Sequence, residues 1–353
     1  MKDTQPTIIW DKGSAYDLFV SLWVIHRPDE FGLRPSWAAG VRSRLPIKMR
    51  EVLEQTQKFL PVPLAWIHHL PEPKDAHTAL MALEALSPEE RLPALFFDNK
   101  QDARTEEYQE IMRSLAGKKR LSAKIESHIR DYYRESEMVN RSVTRAAFEA
   151  WQDRETFGQA FLQALRTYVE NFFLEEEPRV IPAQDQALEK ARALTEEMDV
   201  LAILEELSAG VQMDWAKEVS TLVLAPSFWG APFVYYDSIH TDKGILLFGA
   251  RPTGTTLVPG ELVPDELLNS LKALADPTRL RILHYLQEGS CTPGELSKIL
   301  RLRPSTVIHH LQNLRLAGLV RVTVSPQAER CYALRLDGVD EAINYLKTYI
   351  SGE

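Results

Sequence analysis

Cysteine is scarce in this chain, which has only Cys291 and Cys331 among its 353 residues. Two cysteines cannot form a disulfide framework that stabilises a protein of this length, and such scarcity is typical of a reducing compartment. No apolar run approaches the roughly 18 residues that span a bilayer. The N-terminus, MKDTQPTIIW, lacks the apolar segment of a signal peptide. We therefore expect a cytoplasmic protein that is neither secreted, membrane-spanning nor fibrous.

Signatures of catalysis are also missing from the sequence. None of the patterns GxGxxG, GxxxxGK[ST], GxSxG or HExxH occurs, so no nucleotide-binding loop, nucleophile elbow or zinc-protease motif indicates an enzyme. His68, His69 and His77, near Glu72 and Asp75, superficially suggest a metal site. Prolines break this segment, and its histidines lack the i,i+4 spacing of a helical site. We predict no enzymatic activity, no cofactor and no metal site.

Charge is unevenly distributed along the chain. The net charge is −9, which by itself argues against binding to a polyanion. Residues 261–353, however, hold eleven basic and eleven acidic residues, so the whole acidic excess lies in residues 1–260. The segment Lys298–Arg335 carries seven basic residues and one acid. Because charges act over about 8–10 Å, this stripe either attracts nucleic acid or is a solvated cationic surface without a partner.

The N-terminal region, residues 1–255, has a mostly helical pattern. Thr7–Trp10 predicts a short strand, and residues 103–207 are largely helical. Within Thr156–Leu174, aromatic and leucine residues recur every three or four positions and predict one buried helix face. Short β-rich segments then predict a small antiparallel sheet. These segments are Val219–Leu224, Phe233–Tyr236 and Gly244–Phe248.

A change in composition and hydrophobic periodicity predicts a second domain. Residues 249–264 contain glycines and prolines without periodicity, which indicates a linker before a C-terminal domain at residues 263–353. This domain opens with two helical patterns, Pro264–Leu274 and Thr278–Gln287. We expect the leucines of the second helix, including Leu280, to lie on its inner side.

The following segment has the pattern of a helix-turn-helix. Thr292–Glu295 is a capping box that opens a short helix, and Pro304 begins another helix, residues 304–317, only about three residues after the first ends. Two short helices with so tight a connection are typical of that motif. Alternating residues then predict a β-hairpin wing at residues 320–335. Its strands and the last helix are predicted at Val320–Val324, Arg330–Leu334 and Val339–Ile350.

Several of these segments resemble a known family. ALADPTRLRILHYL, TPGELSKIL, PSTVIHHLQNLRLAGLV and the wing strand RCYALR are similar to the winged helix-turn-helix domain of ArsR-type prokaryotic transcription regulators. The resemblance covers about residues 263–350, whereas residues 1–260 resemble no characterised domain. The resemblance implies a homodimer, formed partly by the first and last helices of the domain, that binds operator DNA as a repressor. The predicted fold class is mainly α (α+β), with a C-terminal winged helix-turn-helix.

Helix geometry divides the second helix of the motif into two faces. At about 100° per residue, Val307, Leu311 and Leu314 share one face and belong to the core. The opposite face carries polar side chains suited to base edges in the major groove, and nearby arginines are suited to phosphates. His310 lies closer to the core face and is either half-buried or a phosphate contact. The predicted DNA-binding residues are Arg303, Ser305, Thr306, His309, His310, Gln312, Arg315, Arg321 and Arg330.

The sequence therefore predicts a DNA-binding transcriptional regulator whose partner is double-stranded DNA. Its N-terminal region would supply dimerisation, effector sensing or both. Aromatic residues concentrated between Trp215 and Tyr236 suit a pocket for a small organic effector, but they equally suit attachment of the sheet to the helices. The alternative function is a ligand-binding protein or enzyme whose winged helix serves only as a dimerisation or protein-interaction module.

Metal-sensing relatives carry cysteines in the third helix of the domain or Asp/His pairs in its last helix. Here these helices read GELSKIL and VDEAINYLKTYI, so neither ligand set is present. We therefore expect that Zn²⁺ and As(III) do not release the protein from DNA, which electrophoretic retardation of a preformed complex measures. A stoichiometric metal that changes the DNA affinity would contradict this prediction and redirect attention to His68, His69 and His77.

Overall fold

The computed structural model describes residues 5–98, 103–132, 141–260, 263–324 and 330–351. Helices dominate these residues, which confirms the mainly α (α+β) fold class. The predicted turn of the wing, residues 325–329, lies outside the described residues. Within the part that the structure describes, no helix combines the length and apolar character needed to cross a membrane.

The N-terminal region forms a large helical layer. Short 3₁₀ helices lie at Pro28–Phe31 and Asp214–Lys217, and a π-helical turn at Val169–Phe173 joins two long helices. The predicted apolar face of residues 156–174 is buried. The α-helices are α1 (Ser14–His26), α2 (Pro35–Ser43), α3 (Ile47–Phe59), α4 (Leu64–His68), α5 (Ala76–Ala85), α6 (Pro88–Phe97), α7 (Ala103–Arg113), α8 (Ala123–Tyr132), α9 (Arg141–Gln152), α10 (Arg154–Tyr168), α11 (Leu174–Leu194) and α12 (Val200–Leu207).

The main sheet is mixed rather than antiparallel as predicted. Its strand order is β1-β3-β5-β4, in which β1, β3 and β5 run parallel and only β4 runs antiparallel to β5. The chain returns from β1 to β3 through the helical layer, and such crossovers join parallel strands. Both β3 and β5 are buried along nearly their whole length, as parallel strands covered on both faces are. The strands of this region are β1 (Thr7–Trp10), β2 (Val211–Met213), β3 (Thr221–Ser227), β4 (Tyr235–His240) and β5 (Lys243–Gly249).

The C-terminal domain has the predicted element order. The capping box is present, because Thr292 Oγ1 accepts from the Glu295 amide while the Glu295 carboxylate accepts from the Thr292 amide. The expectation for Leu280 was wrong: its side chain is 49% exposed, and Ile282, Leu283 and Leu286 form the inner face instead. The elements are α13 (Asp265–Leu274), α14 (Pro277–Leu286), α15 (Pro293–Leu300), α16 (Pro304–Leu316), β6 (Val320–Val324), β7 (Cys331–Leu334) and α17 (Leu336–Ser351).

A buried carboxylate ties the main sheet to the helical layer. Asp17 of α1 accepts hydrogen bonds from Ser227 Oγ and the Trp229 amide, both at 2.7 Å, and from the Phe228 amide at 3.0 Å. Gln184 of α11 donates a further bond at 2.8 Å. Burial raises the pKa of Asp17 to about 6, while these donors favour its ionised form. One side chain therefore fixes the end of β3 against two helices.

The main sheet also separates two hydrophobic cores. Val223 and Ala225 of β3 belong to the core of the helical layer. The intervening Leu222 and Leu224 belong to a second core, which includes the buried residues of the C-terminal domain. Successive side chains of a strand point to opposite faces, so one strand contributes to both cores.

A strand of the N-terminal region extends the wing. β2 pairs in parallel with β6, and the resulting sheet has the order β2-β6-β7. Val211 and Met213 of β2 are buried in the second core, whereas Gln212 between them is exposed. This pairing covers an edge of the wing whose backbone groups would otherwise be open. In the segment predicted as a linker, Leu257 is also fully buried.

We predict that Val211→Lys weakens this attachment. A buried ammonium group without a partner costs about 3 kcal/mol or more, so the β2–β6 pairing should open. Amide hydrogen exchange at Val322, whose amide donates to the Gly210 carbonyl oxygen at 3.2 Å, should accelerate, with a lower midpoint of chemical denaturation. The matched control is Gln212→Lys, which places the same side chain on the exposed face. Equal exchange rates in the two variants would show that the buried face of β2 does not hold the wing.

Candidate nucleic-acid interface

The recognition-type helix α16 presents a polar face to solvent. Val307, Leu311 and Leu314 are fully buried, as the helical geometry predicted. Ser305, Thr306 and His309 on the other side are exposed, and so is Arg303. These side chains lie in the first half of α16, where helices of this motif reach base edges.

The start of α16 is suited to an anion. Arg303 occupies the N-cap position in an extended conformation, and its side chain makes no capping hydrogen bond. Pro304 has no amide hydrogen and the Thr306 amide donates to the Arg303 carbonyl oxygen at 3.0 Å, so Ser305 carries the first-turn amide that is left for solvent or a ligand. The positive end of the helix dipole lies beside exposed Lys298, Arg301 and Arg303. The sequence prediction of a phosphate contact at Arg303 is consistent with this concentration of positive charge.

Asn313, which the helix geometry places on the flank of the polar face, contacts His309. Its Nδ2 donates to the His309 carbonyl oxygen at 2.7 Å and lies 3.3 Å from His309 Nε2. The i,i+4 spacing allows this contact on one helix face. Asn313 therefore contacts both the backbone and the ring of an exposed predicted reading residue.

His310 is the half-buried member of the histidine pair. Its side chain is only 14% exposed, and its Nδ1 lies 4.0 Å from Asp276 Oδ1. Burial lowers the pKa of His310, and the nearby Asp276 carboxylate only partly offsets this effect. A half-buried imidazole with a lowered pKa favours packing over the phosphate contact that the sequence left open.

Two of the predicted phosphate-binding arginines contact other parts of the protein. The Arg315 guanidinium carbon lies 5.4 Å from the centroid of the Phe233 ring. Arg321 forms ion pairs with Glu205 of α12 at 3.4 Å and with Asp337 of α17 at 3.5 Å. Both arginines thus have partners distant in sequence, which local patterns do not reveal. Gln312 and Arg330 are partly exposed.

The aromatic residues between Trp215 and Tyr236 are engaged in packing. Trp229 is fully buried, with its ring centroid 6.2 Å from that of Trp37 and 5.8 Å from that of Phe172. Trp215 stacks on Tyr236 at 5.5 Å. These contacts favour attachment of the sheet to the helices over a pocket built from these rings.

The histidines near residue 70 have separate partners. His68 Nδ1 lies 2.6 Å from Asp11 Oδ2, and His69 Nδ1 lies 2.6 Å from Asp98 Oδ2. Lys74 Nζ also donates to both oxygens of Asp11 at 2.6 Å. In the described ranges, no three His, Cys, Asp or Glu side chains converge in a way that could hold a metal ion.

Comparison with known proteins finds relatives of the C-terminal domain. Residues 276–322 match the family model for bacterial regulatory proteins of the arsR family. The chain is 51% identical over 63 residues to the HTH-type transcriptional regulator CmtR of Mycobacterium tuberculosis and Mycobacterium bovis, covering 18% of this chain and 52% of CmtR. It is 29% identical over 83 residues to the transcriptional repressor SdpR of Bacillus subtilis, covering 24% of this chain and 91% of SdpR.

A crystal structure of an ArsR family transcriptional regulator is 26% identical and covers 24% of this chain and 93% of its own, with a TM-score of 0.22. The chain spans about half the length of CmtR. The family match begins in α14, includes the helix pair α15–α16 and ends in β6. The helix pair α15–α16 therefore lies in a segment that is similar to bacterial regulatory proteins of the arsR family.

Proposed function

We propose that this protein is a transcriptional regulator, and not an enzyme, that binds operator DNA with α16 and the β6–β7 wing. The observation that carries the proposal is the exposed polar face of α16 within an arsR-family domain. Hydroxyl and imidazole groups at Ser305, Thr306 and His309 match the donors and acceptors of base edges. Similarity to a transcriptional repressor supports repression as the mode of action, in the cytoplasm of a prokaryote.

The basic side chains at the start of α16 would contact the phosphates of the DNA backbone. Arg303 and the Ser305 amide would position the helix on the duplex, because phosphate contacts fix orientation while base contacts give specificity. Arg321 and Arg315 would contribute to this surface only in part, since Arg321 already pairs with two carboxylates and Arg315 lies over an aromatic ring.

A second copy of the chain would complete the DNA-binding unit through α17. Every residue of α17 is described, and Gly338 is its one buried residue. Its apolar side chains follow a heptad spacing in which Leu336, Ile343 and Ile350 are 65%, 44% and 74% exposed. We propose that two α17 helices pair along this seam. Two α16 helices must then lie about 34 Å apart, or a multiple of that distance, along the duplex.

We predict that Ser305→Ala combined with His309→Ala lowers specific DNA affinity between several-fold and about a hundredfold, because each base contact is worth about 1–3 kcal/mol. The measurement is fluorescence anisotropy on a genomic fragment selected by the wild-type protein. Circular dichroism should be unchanged, since both side chains lie away from the core.

The matched control is Ser43→Ala combined with His77→Ala, which removes the same groups from exposed positions of the N-terminal region. Equal affinities of the two double variants would refute base reading by α16. If the wild-type protein retards no genomic fragment at low salt, the winged helix is better explained as an interaction module.

We predict that Ile343→Asp combined with Ile350→Asp converts the dimer to a monomer, because two carboxylates would be buried against their counterparts in the partner helix. Sedimentation velocity measures the change, and DNA affinity should fall with it. Thr348→Asp is the control, since it adds a carboxylate to the opposite side of α17. A wild-type chain that sediments as a monomer at micromolar concentration would contradict the proposed seam.

A further inference from the structure

A cavity of about 250 Å³ lies between the N-terminal region and the C-terminal domain. One wall is the segment 29–35, which connects α1 to α2. The other wall comes from α13, α14 and the second half of α16. The volume is slightly below the range of about 300–1,000 Å³ for drug-sized ligands, so it suits a smaller molecule.

The charged side chains around this cavity are mostly basic. Arg34, Lys272 and Arg279 line it together with a single acid, Asp29. Arg279 is held in place, because its Nε donates to the Ala273 carbonyl at 3.0 Å and its Nη2 donates to the Lys272 carbonyl at 2.6 Å. Neither bond uses Nη1, so a fixed guanidinium retains a donor for a further acceptor.

A buried amide also lines the cavity without a protein partner. The Asn269 side chain is 9% exposed and makes no hydrogen bond within the residues that the structure describes. It lies directly against Gly32, where a Cβ would be 2.6 Å from Asn269 Oδ1. Gly32 also has a φ of 68°, so two constraints favour glycine at this point of the wall. The Asn269 amide can therefore donate to or accept from a molecule in the cavity.

We propose that this cavity binds a small organic anion with one carboxylate or phosphate group and a compact apolar body. Arg279 and Lys272 would bind the anionic group, and Asn269 would supply a further hydrogen bond. Leu33, Pro35 and Leu316 provide apolar lining for the remainder of the ligand. The site lies at the junction of the two parts of the chain, and its lining contains none of the aromatic residues between Trp215 and Tyr236.

Asn313 connects this cavity to the DNA-binding face. It lines the cavity, and its Nδ2 donates to the His309 carbonyl. An anion that accepts from Nδ2 would therefore contact a side chain that is itself bonded to the exposed His309. The anion also bridges the N-terminal region and α13. This regulatory part rests on the proposed DNA-binding function, and it predicts that the anion weakens DNA binding.

Binding is tested with benzoate and phenyl phosphate on the full chain by isothermal titration calorimetry, with neutral benzamide as the uncharged comparison. We expect one site per chain for at least one anion and none for benzamide, and the two anions distinguish a carboxylate from a phosphate ligand. Lys272→Gln should weaken binding about tenfold, whereas Lys48→Gln, on the exposed side of α3, should not. Both lysines are exposed, so neither change disturbs the core. Absence of binding, or equal binding to both variants, would overturn the site.

Coupling is tested by measuring DNA affinity with and without the anion that binds. We expect a loss of about 5–150-fold in the wild type and a smaller loss in Asn313→Ala. Anion binding without any DNA binding would support the anion site and refute the regulator function. DNA binding without anion binding would refute the site alone. Binding of both without a change in affinity would refute the regulatory link.

Discussion

The position of the C-terminal domain depends on one hydrophobic core that it shares with the N-terminal region. Leu222 and Leu224 of the main sheet lie in the same core as Ile282 and Leu311 of the C-terminal domain. Burial of apolar surface is the main force that holds such layers together. The β2–β6 pairing adds directional backbone hydrogen bonds to this nondirectional contact. The winged helix is therefore docked through a core and a sheet, and not only joined by a connecting segment.

This docking gives α16 two different environments. Its first half carries Ser305 and His309 in solvent, beside the cationic helix start. Its second half faces the N-terminal region, where Arg315 lies over Phe233 and Leu316 lines the cavity. A single rigid helix thus contacts both the expected DNA surface and the segment that follows α1. That segment is therefore joined to α16 by packed contacts and not only through a connecting segment.

The main sheet is in turn fixed by polar as well as apolar contacts. Asp17 joins β3 to α1 and α11 by hydrogen bonds to backbone and side-chain donors. Because buried donors are costly when unsatisfied, this carboxylate specifies one arrangement of sheet and helices. The aromatic contacts of Trp229 lie beside the same junction. The N-terminal region therefore has the rigidity of a scaffold, and its junction with the C-terminal domain provides the cavity.

Local signals in the sequence determined the helix-turn-helix. The capping box at Thr292, Pro304 and the periodicity of α16 act within a few residues, so they predict both the motif and the outward direction of His309. The parallel pairing of β1 with β3, the addition of β2 to the wing and the stacking of Arg315 on Phe233 were decided only in the tertiary structure. These contacts join segments far apart in the chain, and one sequence carries no local pattern for a distant partner. Exposure of Leu280 has the same origin, because periodicity identifies a helix while its neighbours decide which face is buried.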